Sequence, residues 1–202
     1  MRMQWRTLAV AGAVEFSPPV LRDDRGLFVS PYQEAAFEEA VGRPLFPVAQ
    51  TNHSHSRRGT VRGVHFTCAP PGTAKYVYCA RGRAIDVVVD VRVGSPTFGV
   101  CDAVELDPEH FRAVYFPLGV GHAFIVLEDD TVMSYLQSGR YVPDNELAVS
   151  PLDPALRLPI PDGLDVILSD RDTVAPTLDD ARRSGVLPRY DETVALEKAL
   201  YQ

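Results

Sequence analysis

Prolines and glycines interrupt this chain so often that no apolar run grows long. Seventeen prolines and fourteen glycines are scattered over all 202 residues. Each one punctuates a short apolar run, which is the pattern of an all-β sandwich or barrel. The clearest strand is 84–93. Ile85, Val87, Val89, Val91 and Val93 fall on one face, and Asp86, Val88, Asp90 and Arg92 on the other. Residues 75–79 read as its hairpin partner, with Arg81-Gly82 at the turn. Residues 112–117, 122–128 and 131–137 read as three more strands, separated by turns at Pro117-Leu118-Gly119 and Glu128-Asp129-Asp130. Helical signals are few: 33–40, 177–184 and 191–201. The second has Thr177 as its cap, Asp180 three residues on, and Gly185 and Pro188 at its end. The third has Val194, Leu196 and Leu200 near one face. The proline-rich stretch 150–162 is expected to wrap the core rather than pair within it.

The chain is of one-domain length. At 46% hydrophobic and 23% charged residues it has the apolar material for a core, which excludes disorder. No run approaches the roughly 18 apolar residues of a membrane span. The formal charge of −7, with no basic block, argues against non-specific nucleic-acid binding and leaves anion recognition to a few placed cations. Cys68, Cys79 and Cys101 are odd in number and lack a C-x-x-C spacing, so reduced thiols are expected rather than disulfides or zinc. The apolar stretch 8–14, after two arginines, is too short and too alanine-rich for a signal peptide. It reads as a first strand, and the protein as cytoplasmic.

Two segments bear chemistry. Gly59-Thr60-Val61-Arg62-Gly63-Val64-His65-Phe66-Thr67 and Pro117-Leu118-Gly119-Val120-Gly121-His122 resemble the paired motifs of the cupin superfamily, the metal-binding jelly rolls. His65 and His122 match the first and last histidines of that pattern. Thr67 stands in place of the second, and no glutamate follows at ligand spacing. Two nitrogen donors are too few for zinc or a facial triad, so a jelly roll without a metal or other cofactor is expected.

A closer resemblance rests on nine segments in order: Asp24-Arg25-Gly26, Gln50-Thr51-Asn52, Arg62 to His65, Lys75-Tyr76-Val77, Gly94 to Gly99, Pro117 to His122, Tyr135, Tyr141-Val142-Pro143 with Glu146, and Ser169 to Asp172. Together, over about residues 16 to 178, they resemble the dTDP-4-dehydrorhamnose 3,5-epimerases, the metal-free cupin epimerases, and most of all their antibiotic deoxysugar branch. The resemblance implies a mainly β, cupin-type jelly roll with a few short helices, mostly C-terminal. It implies a single domain over 1–202, acting as a homodimer that exchanges N-terminal strands and takes a dTDP-4-keto-6-deoxysugar as substrate.

The chemistry is coherent with these residues. A ketone at C4 acidifies the hydrogens on C3 and C5. Inversion needs a base on one face, an acid on the other, and a cation at the enolate oxygen. His65 suits the base, since imidazole is largely neutral at pH 7. Asp172, which the family pairs with it, would fix its tautomer. Lys75 would meet the enolate oxygen, and Tyr135 would donate from the opposite face. By resemblance, Arg62 and Arg25 would meet the diphosphate, Arg25 from a neighbouring subunit. Gln50 and Asn52 would place the sugar nucleotide, His122 would line the sugar site, and Tyr141 would stack on thymine. Glu146 and Arg171 match further binding positions. Ser30, where many members have glutamate, and Arg171, in place of a common lysine, depart from the pattern.

Other readings compete. A binder without catalysis and a metal-dependent cupin share this fold class. The expected outcome is inversion at C5, or at C3 and C5, with C3 alone as the alternative. His53 and His55 are assigned to a loop or surface, and His110 to an exposed turn.

Overall fold

The computed structural model describes residues 2–200. Its strands form two facing antiparallel sheets and one separate hairpin. The six-stranded sheet runs β1 (Gln4–Thr7), β2 (Val14–Ser17), β10 (Ala113–Phe116), β7 (Lys75–Arg81), β12 (Thr131–Gln137), β5 (Gln50–Ser56). The five-stranded sheet runs β13 (Glu146–Ala148), β6 (Val61–Thr67), β11 (Gly121–Val126), β8 (Ala84–Val89), β9 (Cys101–Leu106). The hairpin is β3 (Val20–Asp23) with β4 (Gly26–Val29). This is the expected cupin-like jelly roll, with its helices few, short and mostly C-terminal.

Three apolar clusters hold the layers. Between the sheets, Val77, Val88, Phe116, Phe124, Val126 and Met133 fill one part of the interior. Outside the five-stranded sheet, Val87, Val89 and Ile125 pack under the 147–187 segment, including Leu156, Leu158 and Ile160 from the proline-rich wrap. Outside the six-stranded sheet, Phe16, Tyr76 and Tyr115 pack against Phe37 of α1 (Glu34–Val41) and against Leu196 and Leu200 of α4 (Tyr190–Ala199). Each fully buried aliphatic or aromatic side chain contributes about 1.5–3 kcal/mol. Both faces of β8 are therefore covered.

The pairing of 75–79 with 84–93 is not what forms. β7 pairs with β10 and β12, whereas β8 pairs with β11 and β9. The short connection at Gly82-Arg83 crosses from one sheet to the other. A Cβ on Gly82 would lie 2.3 Å from Thr131 Oγ1, so the crossing is packed tightly against the start of β12. The strand beginning at Ala84 also stops at Val89. Beyond it, buried Asp90 takes a bidentate pair of 2.9 Å bonds from Arg92 and accepts from Ser95 and Thr97 hydroxyls at 2.6 Å. The Gly94–Gly99 motif is thus scaffold. At the N-terminus the single strand expected becomes two, β1 and β2, and much of the apolar stretch forms the turn between them. His53 and His55 are exposed, as expected, but lie on β5 rather than in a loop. His110 occupies an exposed turn.

Thr177 caps α3 (Leu178–Ser184), its hydroxyl accepting from the Asp180 amide at 3.1 Å, and Gly185 closes it in the left-handed region. The helix expected over 191–201 is α4; Tyr201 lies outside the described residues. The four-residue helix α2 (Asp170–Thr173) was not foreseen.

The two chemistry-bearing motifs meet where β6 and β11 cross closest. A Cβ on Gly63, at φ +115°, would lie 2.3 Å from the His122 carbonyl oxygen, and one on Gly121 would lie 2.6 Å from Val64 Cγ1. Gly63→Ala is expected to cost more than about 3 kcal/mol, because strain and overpacking add. Gly163→Ala, also at positive φ but with nothing within 4 Å, is expected to cost about 1–2 kcal/mol, from strain alone. Urea unfolding of both variants checks this; equal losses would contradict it.

Candidate active site

The part of the sandwich interior not filled by the apolar cluster is a cavity of about 430 Å³, bordered by residues from both sheets. β6 contributes Arg62 and His65, and β11 contributes His122. Facing them, β7 contributes Lys75, β12 contributes Tyr135, and β5 contributes Asn52 and Ser54. Tyr141, Glu146 and Arg171 border its mouth. A second hollow, about 610 Å³, adjoins along Arg62, His65, Tyr141 and Arg171 and reaches Asp172.

Arg62 and His65 share the cavity only because of a bulge. Residues three apart point to opposite faces of a regular strand. In the β6–β11 ladder His122 lies opposite His65 and Phe124 opposite Arg62, so β6 carries one extra residue between the two pairs. That residue turns both side chains inward.

His65 Nε2 lies 2.6 Å from Asp172 Oδ1. A carboxylate accepts only, so this contact calls for a proton on Nε2 and leaves the basic lone pair on Nδ1; the Arg171 guanidinium only donates and calls for the opposite, so the two compete for Nε2. Ser169 caps α2 and fixes the aspartate, accepting from the Asp172 amide at 3.2 Å. Arg171 Nη2 also stands 2.6 Å from Nε2. Burial holds the His65 pKa below its usual 6.5; Asp172 pulls it up, and Arg171 and Lys75 push it down. The ring is therefore neutral at neutral pH. Burial also pushes the Asp172 carboxyl up, but hydrogen bonds with His65 and Ser169 and the positive charges nearby together leave it below the usual range.

Lys75 is buried. Burial lowers its pKa, with Glu146 and Asp86 opposing that loss. The Tyr135 phenol is pushed well up by burial, against a 3.1 Å hydrogen bond shared with Ser54 Oγ. It stays protonated and can donate. His122 lies under Phe116, ring centroids 4.3 Å apart, and 6.0 Å from the Tyr135 ring. Thr67, at the position of the absent cupin histidine, donates to Glu146 Oε1 at 2.9 Å. Among the described residues no group of three or more His, Cys, Asp or Glu is arranged to hold a metal.

Of the residues singled out from sequence, His65, Lys75, Tyr135, Asn52, Arg62, His122, Tyr141, Glu146 and Arg171 border one cavity. Asp172 stands behind His65. Gln50 acts at one remove: it donates to Asn52 Oδ1 at 2.7 Å and accepts from the Tyr141 amide at 3.0 Å. Arg25 is elsewhere, 90% exposed at the tip of the β3–β4 hairpin and paired with Asp23. Two contributors were missed. Ser54 holds the Tyr135 hydroxyl, and Asp86, wholly buried, holds His122 Nε2 at 2.5 Å. The signal for Asp86 was a lone acid among the valines of its strand.

An open jelly-roll cavity with an imidazole–carboxylate pair on one wall and an ammonium and a phenol on the other defines an acid–base cupin. The dTDP-4-dehydrorhamnose 3,5-epimerase family pattern matches residues 7–180. The chain is 47% identical, over 98% of its length and 97% of the relative's, to a dTDP-4-dehydrorhamnose 3,5-epimerase of Mycolicibacterium smegmatis. It is 48% identical, over 91% of its length and 93% of the relative's, to a dTDP-4-dehydro-6-deoxyglucose 3-epimerase of Streptomyces bikiniensis. Its fold matches the crystal structure of ChmJ, a 3′-monoepimerase from Streptomyces bikiniensis in complex with dTDP-quinovose. The TM-score is 0.91 at 45% identity, covering 97% of this chain and 98% of that one. The chain belongs to the dTDP-4-dehydrorhamnose 3,5-epimerase family. It is a nucleotide-sugar epimerase of the dTDP-4-keto-6-deoxyhexose class. Among the described residues no helix is long and apolar enough to cross a membrane.

The charges around His65 carry opposite signs, and their effects are separable. Arg171→Gln is expected to raise the His65 titration midpoint, and Asp172→Asn to lower it, as followed by magnetic resonance of the ring. Shifts of the same sign would contradict this.

Proposed function

We propose that the protein inverts C5, alone or together with C3, of a dTDP-4-keto-6-deoxyhexose through an enolate. The observation that carries this reading is the placement of His65 and Tyr135 on opposite sheets facing one cavity, with Lys75 on the strand next to Tyr135, two residues along the register. A sugar ring held between the walls would show one face to a base and the other to an acid.

The neutral His65 takes a proton from the carbon next to the ketone. The C–H electron pair moves into the ring and the negative charge onto the C4 oxygen, where the Lys75 ammonium stabilises it. Tyr135 then delivers its proton to the same carbon from the opposite face, inverting it. The imidazolium, held against Asp172, returns its proton to solvent, and the phenolate recovers one. Arg62, at the cavity rim with its Nε on Ser56 Oγ at 3.2 Å, is placed to meet a diphosphate. Half-exposed Tyr141 offers a ring for the thymine. Serving C3 as well requires the ring to turn in the cavity, since base and acid are fixed to their sheets. Relatives of near-equal identity carry 3,5-epimerase and 3-epimerase names, so the choice between carbons rests with the labelling experiment below.

We further infer a homodimer in which Arg25 of one protomer reaches its partner's cavity. The hairpin carrying Arg25 exposes Leu21, Leu27 and Phe28, an apolar surface suited to burial against a second copy. Sedimentation is expected to show a dimer; an active monomer would overturn this.

Incubation with dTDP-4-keto-6-deoxyglucose in deuterium oxide tests the chemistry. Label at C5, with or without C3, is expected. Label at C3 alone would favour 3-epimerisation, and no label at either carbon would leave a binder. His65→Ala and Tyr135→Phe are each expected to lower kcat by about 10²–10⁴-fold. Full turnover in either variant would remove that residue from its role.

A further inference from the structure

The epimerase chemistry uses one histidine–aspartate pair, yet the cavity wall holds two. His65 and His122 stand opposite each other in the β6–β11 ladder. Asp172 backs the first from outside the sheet, and Asp86, on β8, backs the second from within. The second pair is the more deeply buried: Asp86 is fully enclosed and His122 is 5% exposed. Asp86 Oδ1 lies 2.5 Å from His122 Nε2, while its other oxygen, Oδ2, is buried with no hydrogen-bond partner. Leaving a buried carboxylate oxygen unmatched costs free energy. A residue needed only to satisfy His122 would be served by a backbone carbonyl or an amide, without a charge.

We propose that Asp86 is a positioning residue for the epimerisation: it holds His122 with its proton on Nε2, so that Nδ1 accepts a hydrogen bond from a sugar hydroxyl beside the ketone. This rests on the reading that the cavity holds the sugar ring. Two features support it. A carboxylate accepts only, so the Nε2 contact settles which ring nitrogen carries the proton. His122 borders the cavity, wedged between Phe116 and Phe124, so the ring cannot swing away.

Asp86→Asn keeps the shape of the side chain and removes its charge. Relative to the parent enzyme, kcat is expected to fall about 10²-fold, because the amide no longer fixes the tautomer of His122. KM is expected to stay within about threefold, since ground-state binding is largely spared. A kcat within twofold of the parent, in a variant that melts cooperatively, would overturn the proposal. If the variant does not fold, the parent protein labelled with ¹⁵N at histidine decides. His122 is expected to carry its proton on Nε2, and Nδ1 is expected to shift on addition of dTDP-glucose but not of dTDP alone. A proton on Nδ1, or no shift with the sugar nucleotide, would overturn it. Parallel assay of His65→Ala separates the two ideas. Activity surviving there removes the base itself, whereas loss there with full activity in Asp86→Asn removes only the role given to Asp86.

Discussion

A base that takes a proton from carbon must stay neutral, and His65, in the role proposed for it, must do so beside a carboxylate. Asp172, 2.6 Å from His65, alone would favour the imidazolium. Burial reverses that preference, helped by the charges of Arg171 and Lys75. The sandwich therefore has to leave part of its interior unfilled, with His65 only partly exposed. It does so by packing Val77, Val88, Phe124 and Met133 in one part of the space between the sheets and lining the rest with paired polar groups. Below about pH 6.5 the unfolded chain protonates this histidine more readily than the native site does. His65 then works against folding as the pH drops, so the catalytic state is held at some cost in stability.

Facing sheets also solve a stereochemical problem. Inversion needs proton donor and acceptor on opposite sides of a flat enolate. Two sheets whose inner faces oppose each other supply that geometry directly, with His65 on β6 and Tyr135 on β12. Lys75 and Tyr135 both face inward from neighbouring strands, where Lys75 pairs with Gln137 and Val77 with Tyr135. The proposed enolate-binding cation and acid are thereby placed on one sheet.

Much of this was legible in the residues. The strand over 131–137 has the bounds read from its alternation, and Thr177 and Gly185 bound their helix as side-chain chemistry requires. The shared cavity follows from the two glycine-bearing motifs, because only glycine permits the approach of β6 to β11. What failed was non-local. The alternation of 84–89 and the turn residues beside it are those of a hairpin, but alternation does not say which neighbour a strand takes, and Gly82-Arg83 changes sheets instead. The bulge that brings Arg62 and His65 to one side has no signature beyond Gly63. Asp86 is polar in a buried strand, and only the fold shows the histidine it faces. Arg25 shows the reverse: its motif was plain in the sequence, but within one chain it stands away from the cavity.

The account turns on His65 being a neutral, partly buried base in the free enzyme. The pH dependence of kcat/KM reports the ionisation of that state. The account predicts an acid limb whose midpoint lies below 6.5, the ordinary histidine value. A midpoint at or above 6.5 would mean that Asp172 prevails over burial, and would contradict it.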